Sequence, residues 1–474
     1  MSLTRILAEI AVETDSREIT DSAREACKKL ILDTVGVSIA AWNAPGIREL
    51  FEQIDEWGGD EESTVLVYGS KVPAPNAAFV NSAMAHALDY DDLHDPSALH
   101  IMSIVMPTVL AVAEMTDATG RGLLDGIILG VETACRLGMP YNRLRKGPQG
   151  RGFLPSSVIG GFGATAAACR LLGYSVDQTV NALGINYAQA SGNRQALFDR
   201  TLTKRLQPAF AARNAIWSAA LAGQGLTGPE NAAEGDAGLF RVYINVAPPS
   251  EEEIRRSRGF FEIERNTIKR FTSCGLAHPV TQAALDLAKQ YDLRKDDLKQ
   301  VTIYIHGGPD GENLVGRPFE IGDTPQVNAQ FSAAYGVAVA LLRRRAGLAE
   351  FTDQQVRKDT EVAELARRIR IVANRDEPGG YVRIEDDFPP HVDKPHTVVV
   401  TTRDGRELSK TYTIREILSP KAMTMADTIA KFRGCAEFSG ICPADKAEAI
   451  ISSIQQLEKL DHASDFVAHC ECEP

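Results

Sequence analysis

Apolar residues recur with a helical period through the first half of the chain. Leu3, Ile6, Leu7 and Ile10 mark one face, and Ala23, Cys27, Leu30, Ile31, Thr34 and Val35 mark another. The same period predicts helices at roughly 75–88, 105–117, 122–136, 156–172, 177–191 and 205–223. Gly160, Gly161 and Gly163, followed by Ala164 and Ala166 to Ala168, would let helix backbones approach closely, which predicts a crowded helical core. These glycines do not read as a phosphate loop, because no strand precedes them and their spacing is wrong.

The pattern changes after a charged, breaker-rich section around 246–262. Val301–Ile305, Ile369–Val372, Val382–Ile384, Thr397–Thr401 and Thr411–Ile414 read as strands, with a hairpin connection at Arg403–Arg406. Helical patterns at 326–342 and 352–368 lie among them, and others follow at 422–433 and 443–458. The predicted class is mainly α, a large all-helical domain with a smaller α+β domain. The expected boundaries are 1–268 for the first part of the helical domain, 269–408 for the α+β domain, and 409–474 for C-terminal helices that pack back on the first part.

With 474 residues the chain can bury a large core. A formal charge of -12 argues against nucleic acid or an anionic membrane as the main partner. Local cationic spots, 141–151, Lys204-Arg205 and Lys269-Arg270, suit a small anionic molecule instead. The start lacks the long apolar region of a secretory signal, and Ile101–Met115 is too short and too interrupted to span a membrane. Eight scattered cysteines form neither a disulfide framework nor a zinc pattern, so a reducing cytoplasm is the expected location.

Chemistry concentrates between His86 and His100, where three of the nine histidines, His86, His94 and His100, accompany Asp89, Asp91, Asp92 and Asp95. Three neighbouring carboxylates cannot all be buried as anions without cationic partners, and pairing with imidazoles points to proton transfer. Helix capping is the competing role for Asp91, Asp92 and Asp95. His86 and Asp89, three apart on a predicted helix, also leave a divalent metal open. Lys204 starts an apolar, alanine-rich helix, and Arg205 follows it. Lys269, Arg270, Cys274 and His278 introduce a helix at 279–289, with His278 a candidate acid or base. His306, His391 and His396 read as turn or loop residues.

These segments, in this order, resemble the MmgE/PrpD family, which includes 2-methylcitrate dehydratase, cis-aconitate decarboxylase and iminodisuccinate epimerase. The resemblance rests on Asn81–Asp92, His100, Lys204-Arg205 with Ala211–Asn214, Lys269, Cys274, His278-Pro279, and Ala329–Tyr335. It implies a helical domain built from both chain ends, an α+β lid, a homodimer, and lyase chemistry on a small di- or tricarboxylate without metal or organic cofactor. It also implies a cleft lined by residues matching Asp89, His100, Lys204, Lys269, His278 and Tyr335. On that reading His100, His278, Lys204, Asp89 and Asp91 are catalytic, and Asp92, His94, Arg205, Lys269, Arg270 and Tyr335 bind substrate. Decarboxylation or dehydration is the leading reaction. Epimerisation by proton exchange beside a carboxylate is the enzymatic alternative, and non-catalytic carboxylate binding is another. Three positions depart from the family pattern: Leu154 and Gln207 stand where histidine is usual, and Ala209 where glycine is common.

Overall fold

A computed structural model describes residues 2–145, 152–373 and 390–472. The chain forms two compact units. One comprises Met1–Arg194, Arg205–Asn266 and Met423–Pro474, and the other Gln195–Lys204 and Thr267–Ala422.

The first unit is helical, as its apolar period predicts. Its long helices are Leu3–Glu13, Asp21–Ala40, Ala74–Ala87, Met102–Met115, Gly120–Leu144, Pro155–Leu171, Val176–Tyr187 and, from Arg205 onward, Thr203–Gly223, joined later by Met425–Ser439 and Ala444–Gln455. Among the described residues its only sheet is a minimal hairpin, β1 (Ser63–Thr64) with β2 (Lys71–Val72). The small-residue run does what its composition predicts. A Cβ on Gly163 would sit 2.4 Å from the Gly130 carbonyl oxygen, and one on Gly130 would sit 2.8 Å from Ala167 Cβ. Helices Gly120–Leu144 and Pro155–Leu171 therefore meet backbone to backbone. Helix Ile47–Trp57, with only Ile47 and Ile54 buried, went unpredicted because its apolar face is so narrow.

The second unit is α+β. Its four-stranded sheet has the order β4-β3-β5-β6, where β3 is Leu298–Ile305, β4 Arg370–Ala373, β5 His396–Thr402 and β6 Glu407–Tyr412. β3 runs parallel to β4 and antiparallel to β5, and β5 pairs antiparallel with β6 through Val398↔Lys410. Burial alternates strictly along β5, and helix His278–Gln290 packs on β5 and β6. The helix expected at 326–342 is split at Phe331, because Ser332 caps a new helix by accepting the Tyr335 N–H. The one expected at 352–368 is split at Asp359, whose side chain caps Thr360–Arg368 through the Val362 N–H. The last strand starts earlier than predicted and stops at Tyr412, since Thr413 caps a short helix. His396 is no loop residue: it is buried at the start of β5. The predicted strand Val382–Ile384 and residues 146–151 of the cationic loop lie outside the described residues. Among the described residues, no helix is long and apolar enough to cross a membrane.

Candidate active site

Helix Ala74–Ala87 ends where Asp89 turns left-handed, with φ +50°. His86 and Asp89 therefore do not share a helix, contrary to expectation. The turn sends Asp91 back beneath the helix end, where its Oδ2 lies 2.6 Å from His86 Nδ1 and 3.4 Å from His100 Nδ1. The two rings meet edge to face with centroids 5.0 Å apart. Burial alone would push the Asp91 carboxyl up. The two imidazoles outweigh it and hold that carboxyl well below its ordinary range.

His100 has a defined tautomer. Its Nδ1 lies 2.7 Å from the Asp92 carbonyl oxygen, which only accepts, so Nδ1 carries the proton and donates. The lone pair of the neutral ring is then on Nε2. About one fifth of this side chain is exposed, whereas those of His86 and Asp91 are enclosed. His100 is thus the member of the cluster that can reach a ligand.

Asp92 serves the backbone. Its Oδ1 accepts the Met102 N–H at 3.2 Å, at the start of helix Met102–Met115, and its Oδ2 accepts Asn266 Nδ2–H at 2.5 Å. Burial, then Asp91 and Asp33, push its carboxyl well above the usual range. His94 has both ring nitrogens engaged, Nδ1 with Ser97 Oγ at 2.6 Å and Nε2 with Glu262 Oε2 at 3.1 Å. Burial lowers its pKa, and because the Glu262 carboxylate only accepts, Nε2 carries a proton and donates it.

Three further contributors escaped sequence reasoning. Asn266 holds Asp92, as described. Lys431, from helix Met425–Ser439, pairs with buried Asp33 at 2.7 Å and donates to the Tyr90 carbonyl at 2.8 Å. Its ammonium also sits 3.7 Å from the Tyr90 ring centroid. The one available signal was Asp33 itself, a lone acid in the apolar run Leu30–Val37.

In the second unit, Lys204 Nζ lies 5.5 Å from the Phe331 ring centroid, and the Arg200 guanidinium 5.1 Å from the same centroid. Arg200 also donates to the Leu314 and Phe331 carbonyls, and burial lowers its pKa to about 10. Lys269 and His278 are buried, with His278 Nε2 3.2 Å from the Ser273 carbonyl oxygen. Tyr335 is buried among Phe319 and Phe351 and donates its hydroxyl to the Glu350 carbonyl at 2.7 Å. Arg270 is exposed and donates to the Ala422 carbonyl. In the helical unit, Arg205 donates to the Pro45 carbonyl at 2.6 Å. There too the departures Leu154 and Gln207 converge: Leu154 donates its N–H to the Gly192 carbonyl, and Gln207 Oε1 accepts the Asn193 N–H at 2.6 Å. Ala209 is buried on the same helix as Gln207.

His86, Asp91 and His100 offer ligand atoms within 4.8 Å of one another, the spacing of a metal site. Their geometry favours hydrogen bonding. Two atoms 2.6 Å apart subtend only about 80° at a zinc bonded at about 2.1 Å to each, well short of tetrahedral. What the arrangement does well is place a buried anion behind an imidazole whose other nitrogen is available for proton transfer.

Comparison with known proteins gives this chemistry a context. The MmgE/PrpD N-terminal domain family matches residues 5–252, and the MmgE/PrpD C-terminal domain family matches residues 271–459. A protein named cis-aconitate decarboxylase from Aspergillus terreus (strain NIH 2624 / FGSC A1156) is 28% identical over 368 residues, 74% of each chain. Those of the same name from Mus musculus and Homo sapiens are each 26% identical, covering 94% of this chain and 88% and 90% of their own. Two family domains covering almost the whole chain, together with these relatives, place it in the MmgE/PrpD family as an enzyme of lyase type that acts on a small carboxylate.

Proposed function

We propose that the protein is a decarboxylase of a small tricarboxylate of the cis-aconitate kind, working without metal or organic cofactor. The observation that carries the proposal is the buried Asp91 carboxylate behind His100, whose Nδ1–H is tied to the Asp92 carbonyl so that Nε2 points its chemistry elsewhere. Relatives named for the same reaction support the choice among lyase reactions.

In this reading Lys204, Lys269 and Arg200 supply positive charge for the substrate's carboxylates through charge-assisted hydrogen bonds. The bond between one carboxyl carbon and its neighbour breaks, carbon dioxide leaves, and the electron pair spreads into the conjugated system that a second carboxylate terminates. Cations beside that carboxylate stabilise the charge as it develops. His100, protonated at Nε2 with Asp91 balancing the imidazolium, delivers a proton to carbon and is reprotonated from water. Asp89, Asp92 and His94 fix the loop that carries it. His278 is the second candidate acid, and Tyr335, Arg205 and Arg270 support the binding residues.

Carbon dioxide release from cis-aconitate, 2-methylcitrate and related acids tests the reading. Wild type is expected to release it from at least one acid, and His100→Asn to lose at least about 100-fold in kcat. Failure of wild type to release carbon dioxide from any acid refutes it. The neutral His100 tautomer, a base at Nε2, favours one further reading, proton exchange beside a carboxylate. Deuterium uptake from heavy water into recovered substrate, without change of formula, would replace the first reading with the second. The proposal extends to a homodimer in the cytoplasm. All eight cysteines are free thiols, which suits a reducing compartment, and light scattering at twice the 51.4 kDa chain mass checks the dimer.

A further inference from the structure

Helix Pro155–Leu171 begins without a side-chain cap, because Leu154 stands at its N-cap position and offers no oxygen. Pro155 has no N–H, and among the described residues the Ser156 and Ser157 N–H groups find no acceptor. A 17-residue helix thus presents its positive end with no acidic residue in its first turn and no side-chain cap.

Two side chains share the deficit. Ser157 Oγ and Gln207 Nε2 are buried and, among the described residues, have no hydrogen-bond partner, in residues only 3% and 6% exposed. The orientation of the Gln207 amide is fixed, since its Oε1 accepts the Asn193 N–H at 2.6 Å and a flipped amide would set donor against donor. Gln207 therefore presents a donor without an acceptor. The two residues meet over Gly192, where an added Cβ would lie 3.1 Å from both Ser157 Oγ and Gln207 Oε1. Gly192 has φ +120°, and that Cβ would be 2.5 Å from Ser157 Cβ, so only glycine permits this approach. Leu154 and Gly192 are partly exposed and Asn193 is exposed, which puts the mouth on their side. The group adjoins His100, whose N–H donates to Ser156 Oγ at 3.0 Å.

We propose that Ser157 Oγ, Gln207 Nε2 and the Ser156 and Ser157 N–H groups form a carboxylate subsite at the start of helix Pro155–Leu171, beside His100. Every group in it is a neutral donor whose demand no described residue meets, and a carboxylate carries the lone pairs that meet it. The inference rests on the polycarboxylate reading above and deepens it: this chain binds one substrate carboxylate with the Ser157 hydroxyl and the Gln207 amide, and Gln207 stands where the family resemblance implies an imidazole.

The test is calorimetric titration with propane-1,2,3-tricarboxylate, an unreactive probe, on wild type, Ser157→Ala, Gln207→Leu and Gln207→Glu, each checked for an unchanged circular dichroism spectrum. Gln207→Leu is expected to raise Kd about tenfold and Ser157→Ala about three- to tenfold, the loss of one hydrogen bond to an anion in each case. Gln207→Glu is the decisive variant. It still accepts the Asn193 N–H but sets a negative charge against the ligand, so Kd is expected to rise at least about 100-fold, whereas a purely structural Gln207 would tolerate it. A Kd within about threefold of wild type in Ser157→Ala and Gln207→Glu overturns the subsite, as does absence of binding by wild type up to about 10 mM. Turnover of the acid panel by wild type is measured separately, so the lyase reading stands or falls on its own result.

Discussion

Replacing Asp91 by Asn removes one charge and little else. Asn Oδ1 can still accept from His86 Nδ1, now 2.6 Å from Oδ2, so no buried donor is orphaned at that contact. What is lost is the anion 3.4 Å from His100 Nδ1. At an effective dielectric of about 20, unit charges at that distance attract by about 5 kcal/mol. The carboxylate is shared with His86, and the amide keeps a favourable dipole, so about half of this, 2–3 kcal/mol, is the expected loss in stabilising the His100 imidazolium. At 1.36 kcal/mol per decade, kcat falls about 30- to 160-fold. Because the two imidazoles hold the Asp91 carboxyl well below the usual range, Asp91 stays ionised from mildly acidic pH upward and the deficit persists to alkaline pH. The assay is initial-rate carbon dioxide release, paired with calorimetric Kd for propane-1,2,3-tricarboxylate. A kcat within threefold of wild type, or a loss carried entirely by Kd, refutes the assignment of Asp91 as the charge behind the acid.

Three other outcomes follow from the same network. Burial pushes the Glu262 carboxyl up, but His94, Arg265 and Arg258 prevail and hold it at about 2, against an ordinary 4.5. A depressed carboxylate stabilises the fold above 4.5 and loses that contribution as pH falls toward 2, so up to about 3 kcal/mol disappears across that window. Glu262→Gln should flatten urea-unfolding stability between pH 5 and 3, and an unchanged slope there would contradict it. Lys431→Met leaves buried Asp33 without its cation and should destabilise by about 3–5 kcal/mol, with Asp33→Asn in the same chain recovering most of it; equal stabilities of the two variants would argue against the pair. Exhaustive chelation, verified by elemental analysis, should leave kcat unchanged, and its loss with recovery on adding a divalent ion would move His86, Asp91 and His100 from proton transfer to metal binding.

Local periodicity made most of the fold legible, because each long helix buries a broad apolar face and the central strands β3 and β5 of the four-stranded sheet are rich in β-branched residues, whereas the edge strand β6 carries only Thr411. Two of the misses share one cause. Helix 326–342 breaks at Phe331 and 352–368 at Asp359, where a single side chain caps a new helix inside an otherwise continuous pattern. Such a cap is worth about 1 kcal/mol, and the decision belongs to tertiary packing. At the site, the loop from Asp89 to His100 announced itself by composition. Its supports did not, since Asn266 and Lys431 lie 174 and 341 residues from Asp92 and Tyr90. Nothing local in either segment distinguishes them from surface polar residues.

Those distant supports explain how the loop can be both irregular and exact in its placement. Asp89 and Ala98 adopt left-handed backbone angles, φ +50° and +56°, which non-glycine residues avoid unless their surroundings over-determine them. Here the surroundings do so with four anchors from three chain segments. Lys431 holds the Tyr90 carbonyl, Asn266 holds Asp92, Glu262 holds His94, and Ser156 receives the His100 N–H. Each anchor binds a different residue of the loop, so the removal of one leaves three in place and shifts the loop rather than releasing it. A proton donor must sit within a few tenths of an ångström of its target carbon, while a carboxylate held by charge tolerates more. Weakening one anchor, as in Asn266→Ala, should therefore lower kcat well before it weakens binding of propane-1,2,3-tricarboxylate. An equal loss in both would mean that the loop binds substrate directly rather than aiming His100 at it.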